Sequence, residues 1–402
     1  MKIEKLNHNG FGIGYIDGKV TFVKNTLIGD EVEVLITKEH KTYNEAKVTK
    51  YLTKSPLHKV PICPYADKCG GCTYQMMSYE EELSQKQKVV EELLGKKAQI
   101  IKCDNYNYRN KITLKVKNGK IGFFAEGTHN LVSIDKCYLC TEKINKIINE
   151  LLTIDLSNIY EITIREGEET IVILYNTGPT NVDISHLKNA DNILLKDEDY
   201  HVLKGKSSIT TNIGKYKYII EKDSFFQVNK YLTQKLYDKA LEYLHPRDDD
   251  VLLDLYCGAG TIGIYFASSV ERVIGIELNE YSVASANKNK NLNNIPNINF
   301  INADVAKAIN KVKMATKVVV DPPRKGLDKN TINNIKRLYP ARIIYISCNV
   351  HTLARDIKLL EDFYTLESYT IVDMFKGTYH TEIVSVLQRK EEAELIWKTN
   401  TI

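Results

Sequence analysis

Apolar and polar positions alternate with a period of two through most of residues 1–54. Phe11, Ile13 and Tyr15 are separated by Gly12 and Gly14, Asp17-Gly18 is a hairpin turn, and 20–23, 31–37 and 45–51 repeat the alternation. Strands this short and regular predict a small closed, OB-like barrel. Ser55-Pro56 and Val60-Pro61 mark a linker. The period then changes to that of a helix over 79–94, with Leu83, Val90, Leu93 and Leu94 on one side. Over 111–117 the period of two returns, with Ile112, Leu114 and Val116 on one face and Lys111, Thr113, Lys115 and Lys117 on the other. Asn118-Gly119 closes a hairpin with 120–124, and a helix over 142–152 and strands near 160–165, 170–175 and 215–220 continue a central α/β region. Beyond a helix at 231–244 the pattern becomes one of solid apolar runs: Val251-Leu252-Leu253, 273–276, 298–301, Val318-Val319-Val320, Ile344-Tyr345-Ile346 and 383–387. Runs without alternation belong to strands covered on both faces, as in a parallel sheet wound with helices. The expected fold class is α/β and multidomain: a β-barrel over 1–54, a central α/β domain over 55–222, and a C-terminal Rossmann-like domain over 223–402.

Composition narrows this organisation. A chain of 402 residues is too long for one ordinary core. No apolar run approaches the roughly 18 residues of a membrane span, and Met1-Lys2-Ile3-Glu4-Lys5 lacks a secretion signal, so a cytoplasmic location is expected. The net charge of +4 says little, but between Lys102 and Lys120 six basic residues accompany one acid, Asp104. With Tyr106 and Tyr108 alongside, that stretch offers phosphate pairing and stacking surfaces for unpaired bases, which makes RNA the expected partner.

The eight cysteines point to ligation or catalysis, because a reducing compartment does not support a disulfide framework. Cys63, Cys69 and Cys72 fall within ten residues around Gly70-Gly71, and a fourth ligand must come from Cys137 or Cys140. Two CxxC pairs would suit zinc; the set that includes Cys63 suits a four-iron cluster better, since no short-loop cysteine is left unused.

The C-terminal runs end in residues that carry chemistry. Val251–Leu255 leads into Tyr256-Cys257-Gly258-Ala259-Gly260-Thr261-Ile262-Gly263, and a second strand ends at Glu277. This is a nucleotide-binding βαβ unit. NAD is disfavoured, because Asp254 would repel a pyrophosphate at the loop; S-adenosylmethionine, a cation without phosphate, is compatible. Asp304 ends the third strand, Asp321-Pro322-Pro323 stiffens the end of the fourth, and Cys348 ends the fifth. The edge where these strands stop is where open α/β sheets place ligands. Glu382 opens the last apolar run, a costly place for a carboxylate that is not used. Gln227 sits in an aromatic junction, 223–229, and could orient a ligand. A cysteine, a carboxylate and a methyl donor are what methylation at C5 of a pyrimidine requires. Addition of a thiolate to C6 makes C5 nucleophilic, and a base then removes the C5 proton.

The Gly-rich first strand and Leu27-Ile28-Gly29-Asp30-Glu31-Val32-Glu33-Val34 resemble a TRAM domain. With the Cys63/Cys69/Cys72/Cys137 spacing, Phe225-Phe226-Gln227-Val228-Asn229, the Asp254 loop, Asp321-Pro-Pro-Arg-Lys-Gly, Ser347-Cys348-Asn349 and His380-Thr381-Glu382, the whole chain resembles the RNA uracil-5-methyltransferase family. The branch it resembles carries a TRAM domain and an iron–sulfur cluster and makes 5-methyluridine in 23S rRNA. The resemblance implies Cys348 as nucleophile and Glu382 as base. It implies S-adenosylmethionine held by Gln227, Tyr256, Thr261, Glu277, Asp304 and Asp321. It also implies a [4Fe-4S] cluster on Cys63, Cys69, Cys72 and Cys137, with Cys140 spare and a structural or RNA-positioning role, and a monomer is the default expectation. Two positions depart from the common pattern, Thr261 for Asn and Tyr256 for Phe. The rival readings are a tRNA uracil-5-methyltransferase, whose relatives usually lack the barrel and the cysteine cluster, an iron–sulfur or NAD oxidoreductase, and a catalytically inactive RNA-binding protein.

Overall fold

A computed structural model describes residues 1–125, 127–178 and 182–391. The N-terminal strands Lys5–Leu6, Gly12–Ile16, Lys19–Val23, Tyr43–Thr53 and Glu31–Glu39 pair in that spatial order. The sheet closes on itself where Lys2 bridges Glu31, with Ile3 N–H donating to the Asp30 carbonyl at 2.8 Å and Val32 N–H to Met1 at 2.8 Å. Gly14 permits that closure. A Cβ there would lie 2.5 Å from the Lys2 carbonyl oxygen, so only glycine lets the first residues cross. Ile3, Val23, Val32 and Ala46 fill the barrel.

The central part is a seven-stranded sheet ordered Tyr200–Lys204, Asn192–Lys196, Thr170–Asn176, Ile159–Glu166, Lys111–Lys117, Lys120–Phe124 and Leu131–Ser133. Thr141 caps the helix Glu142–Leu151 by accepting from Ile144 N–H. Ile144, Ile147, Ile148 and Leu151 of that helix pack on Ile112, Leu114, Ile162 and Ile164, the apolar face that the alternation marks.

The C-terminal sheet has eight strands ordered Ile298–Asn302, Arg272–Glu277, Val251–Leu255, Lys317–Val320, Arg342–Ser347, Glu382–Arg389, Tyr364–Val372 and Gln99–Ile101. The first five are parallel and Glu382–Arg389 runs against its neighbours. The strands ending at Leu255, Val320 and Ser347 are therefore adjacent, as the sequence leads one to expect. The boundary expected at 222/223 is crossed by the chain. Gln99–Ile101 belongs to the C-terminal sheet, pairing with Thr370, Ile371 and Val372, and three residues are too few to show a period. Among the described residues no helix is long and apolar enough to cross a membrane.

The helix Tyr79–Leu94 is tied to the same body by a buried charge cluster. Lys86 Nζ lies 2.6 Å from Glu82 and 2.7 Å from Asp373, and its side chain is 1% exposed. Removing one member of a buried ion cluster strands the others. Lys86→Met should therefore destabilise the fold by about 3–5 kcal/mol, measurable by urea unfolding.

Candidate active site

The carboxyl edge of the C-terminal sheet gathers most of the residues singled out by the sequence. The Val251–Leu255 strand is fully buried and passes into a tight turn in which Tyr256 takes φ +62°. Gly260 takes φ +76°, and a Cβ on it would lie 2.5 Å from the Phe300 ring, so the loop hugs the sheet only because glycine stands there. Glu277 Oε2 accepts from Gly258 N–H at 3.2 Å, and Oε1 accepts from Asn279 N–H at 2.8 Å. Asp304 caps the helix Val305–Ala308, accepting from Lys307 N–H at 3.1 Å, and keeps one oxygen for other uses. Thr261 begins the helix Thr261–Phe266, and its hydroxyl lies 2.8 Å from that of Tyr237. Tyr256 and Gln227 are less central. The Tyr256 ring packs into the cluster around Leu253, Val320 and Tyr345, and its hydroxyl meets Thr331. The Gln227 main-chain carbonyl accepts from the Asn110 side chain, just ahead of the strand Lys111–Lys117, at 3.5 Å.

Asp254 is the anomaly of this edge. It is 0% exposed, and among the described residues its carboxyl has no side-chain partner, only a weak contact with the Gly263 N–H. Burying such a group costs several kcal/mol, comparable to what burial of the flanking Leu253 and Leu255 contributes at about 1.5–3 kcal/mol each. Burial pushes its pKa up to about 8, opposed by the Gly263 N–H and aided by the charges of Asp321 and Glu277. A carboxyl retained at that cost points to a cationic ligand above the glycine turn.

Cys348 follows the Arg342–Ser347 strand directly, and Asn349 caps the next helix, Val350–Leu360. The thiol is half-buried and feels the charges of Glu382, Arg324 and Asp321. Burial raises its pKa and Glu382 adds to the rise; the Arg324 guanidinium opposes it by charge and by a hydrogen bond to the sulfur. Glu382 is 4% exposed, and burial followed by Asp321 drives its pKa well above the usual carboxylate range. Asp321 is raised to about 7 by burial. Two carboxyls facing one another resist both being charged, so this pair holds a proton near neutrality. The structure thus brings Cys348, Glu382 and Asp321 together, and adds Arg324, which the sequence reading passed over although it follows Asp321-Pro322-Pro323 directly.

Cys348 opens onto a cavity of about 390 Å³ whose walls come from all three parts of the chain. The barrel supplies His8 and Asn9, the central part Tyr74 and Lys86, and the C-terminal domain Arg324, Asn349, His351, Tyr379 and His380. Burial and nearby cations lower His380 to about 4, so it is neutral at physiological pH. His8 meets His351 edge to face at 4.3 Å.

The cysteine set lies in a second cavity, of about 580 Å³, lined by Cys69, Cys72 and Cys137 together with Arg109, Lys111, Thr113, Lys115 and Phe124. Cys63, Cys69, Cys72 and Cys137 lie close enough to perturb one another's ionisation. The expected metal cage is nevertheless not gathered: among the described residues no three His, Cys, Asp or Glu side chains converge closely enough to hold a metal ion. Protonated thiols have no mutual attraction that would draw them to coordination distance, and burial keeps Cys63, Cys69 and Cys72 protonated. Cys137 differs. A hydrogen bond from Cys140 lowers it to about 6, so Cys140 is occupied in holding its neighbour. The basic face is also less free than the alternation suggests. Lys115 pairs with Glu161, Lys117 donates to the His129 carbonyl at 3.1 Å, and burial lowers Lys111 to about 8.

A half-buried thiol, a buried carboxyl pair and a glycine turn under a Rossmann-like sheet, with a β-barrel at the mouth, define a class of RNA-modifying transferases. Comparison with known proteins supplies the family. Residues 181–390 match the family model of tRNA (uracil-5-)-methyltransferases, and residues 1–49 match the TRAM domain. A protein of Clostridium tetani described as an uncharacterized RNA methyltransferase is 34% identical, with 96% of this chain and 95% of the relative covered. One so described in Caldanaerobacter subterraneus is 33% identical over 96% and 97% of the two chains. Among solved structures, the tRNA (uracil-54, C5)-methyltransferase of Pyrococcus abyssi, in complex with S-adenosyl-L-homocysteine, superposes with a TM-score of 0.79 at 28% identity, covering 96% of this chain and 99% of that one. The chain belongs to the RNA uracil-5-methyltransferase family and carries its TRAM domain.

Proposed function

We propose that the protein transfers the methyl group of S-adenosylmethionine to C5 of a uridine in RNA, through a covalent bond between Cys348 and C6 of the base. The observation that carries this reading is that Cys348 and Arg324 line one cavity and that the buried carboxyls of Glu382 and Asp321 stand close enough to act on the thiol. In the reaction, the Cys348 thiolate, supported by Arg324, bonds to C6, and C5 gains nucleophilic character. C5 displaces the thioether from the donor methyl. Glu382 takes the C5 proton, and the C6–S bond breaks to return the thiolate. Tyr256, Thr261, Glu277, Asp304, Asp321 and Gln227 are proposed to hold the donor, with Asp254 beneath its positive charge. Cys63, Cys69, Cys72 and Cys137 would hold a [4Fe-4S] cluster. The cavity wall that Cys69, Cys72 and Cys137 share, the low pKa of Cys137 and the hydrogen bond from Gln75 to Cys72 support that assignment. Such a cluster would supply rigidity and charge, since methyl transfer moves no net electrons.

The substrate proposed from the cysteine pattern and the barrel is 23S rRNA. A tRNA is the second reading, and one observation favours it: the Pyrococcus tRNA enzyme matches nearly the full length of both chains. The barrel therefore does not by itself discriminate. Mass-spectrometric mapping of 5-methyluridine after incubating the protein and S-adenosylmethionine with 23S rRNA and tRNA transcripts tests both readings. Label in neither RNA overturns the proposed activity.

The Asp254 carboxyl makes a pH prediction. Its folded pKa of about 8 lies above the ordinary 3.8. The unfolded chain loses this proton first as pH rises, so the carboxyl's stabilising contribution is complete below pH 3.8 and gone above pH 8. Ligand-free protein should lose stability from pH 6 to 8, and Asp254→Asn should remove part of that slope. A cationic donor favours the carboxylate, so S-adenosylmethionine binding should release a proton and tighten by up to about tenfold per pH unit below 8. Calorimetry in buffers of different ionisation enthalpy checks the proton release.

A further inference from the structure

The segment 373–380 leads directly into Glu382, and its anchors come from far away in the sequence. Asp373 is held by Lys86 at 2.7 Å and by the Tyr79 hydroxyl at 2.6 Å. Asn229 donates to the Met374 carbonyl at 2.9 Å, and Tyr108 to that of Lys376 at 3.1 Å. Two further anchors come from residues that follow Cys72 immediately. Tyr74 N–H donates to the Gly377 carbonyl at 3.1 Å, and Tyr379 N–H donates to the Thr73 hydroxyl at 2.9 Å. Gln75 completes the turn. Its Oε1 accepts from Cys63 N–H at 3.2 Å, while its side chain also hydrogen-bonds the Cys72 thiol and its Nε2 lies 3.9 Å from where a Cβ on Gly377 would stand. The three-residue stretch 73–75 thus touches the cysteine motif on one side and the loop delivering the carboxyl on the other.

We infer that Thr73 and Tyr74 are positioning residues for Glu382, and that whatever Cys63, Cys69 and Cys72 bind fixes the base loop through them. The inference rests on Glu382 being the base. Thr73 acts only through the Tyr379 amide, two residues before the last link to the strand Glu382–Arg389. A loosened clasp leaves thiol addition and methyl transfer intact and slows proton removal, because only the carboxyl has moved. Holding Cys72 in a rigid centre restrains Thr73 and Tyr74 with it; releasing Cys72 frees both.

The test uses the full chain with Thr73→Val, which loses the acceptor at nearly constant volume, and Thr73→Ser, which keeps it. With natural RNA, Thr73→Val should turn over about tenfold more slowly at unchanged KM, the equivalent of one lost hydrogen bond, and Thr73→Ser should restore the native rate. With 5-fluorouridine RNA, which has no C5 proton to give up, both variants should form the covalent adduct at the native rate. Amide hydrogen exchange provides the readout that needs no turnover. The Tyr379 amide should exchange at least about tenfold faster in Thr73→Val, and the Tyr74 and Tyr379 amides should do so in Cys72→Ser. Native exchange at Tyr379 in Thr73→Val, or native turnover in that variant, overturns the clasp. Native exchange in Cys72→Ser overturns its link to the cysteines. If the native chain methylates no RNA, the proposed activity fails, and the exchange measurement still decides the clasp.

Discussion

Cys348→Ala is expected to abolish methyl transfer, lowering the rate by roughly 10⁴-fold or more, the scale of losing a covalent nucleophile, while RNA binding stays near native. The expectation follows from what surrounds the sulfur. Burial and Glu382 keep the thiol protonated in the free protein, and the Arg324 guanidinium favours its ionisation. Ionisation of the thiol therefore leans on Arg324, which already reaches the sulfur with a hydrogen bond. A structural thiol would sit among apolar side chains; this one lines a cavity with Arg324, His351 and His380. Filter binding to labelled RNA and transfer of radioactive methyl, measured on one preparation, separate the two functions. Methylation at the native rate by Cys348→Ala would remove the covalent route altogether.

Much of this arrangement is legible in the sequence because it is local. Val318-Val319-Val320 followed by Asp321, and Ile344-Tyr345-Ile346 followed shortly by Cys348, announce buried strands that stop at chemistry. Neighbouring parallel strands then place their ends side by side. What the sequence hides is whatever depends on distant pairs. His8 and Asn9 reach the cavity of Cys348 only because the barrel docks at its mouth. Tyr237 meets Thr261, and Thr73 meets Tyr379, across separations that leave no periodicity to read. The lysine row over 111–117 is legible as a face, but its partner Glu161 is not, so its free charge is overestimated from sequence. The cysteine spacing is equally legible, yet spacing alone does not draw thiols to coordination distance.

Glu382→Gln should stall the enzyme one step later than Cys348→Ala and so give the opposite result at the protein. The amide keeps the shape of the carboxyl but cannot accept the C5 proton. Addition and methyl transfer then proceed while elimination fails. Turnover should fall by about 10²–10⁴-fold, the usual worth of a positioned general base. The variant should accumulate as a covalent complex with RNA, migrating slowly on a denaturing gel and carrying labelled methyl. The environment favours this role over a structural one. Burial and Asp321 raise the Glu382 pKa, which makes its carboxylate a stronger base than an exposed one. Near neutrality the carboxyl pair already holds a proton, so the amide changes the charge facing Cys348 little, and the thiol of the variant should ionise about as readily as in the native chain. Adduct formation in Glu382→Gln should therefore be no slower than native, even as product disappears. A variant that forms neither adduct nor product would place Glu382 before the addition step, as a group that binds the base or draws the proton from the thiol.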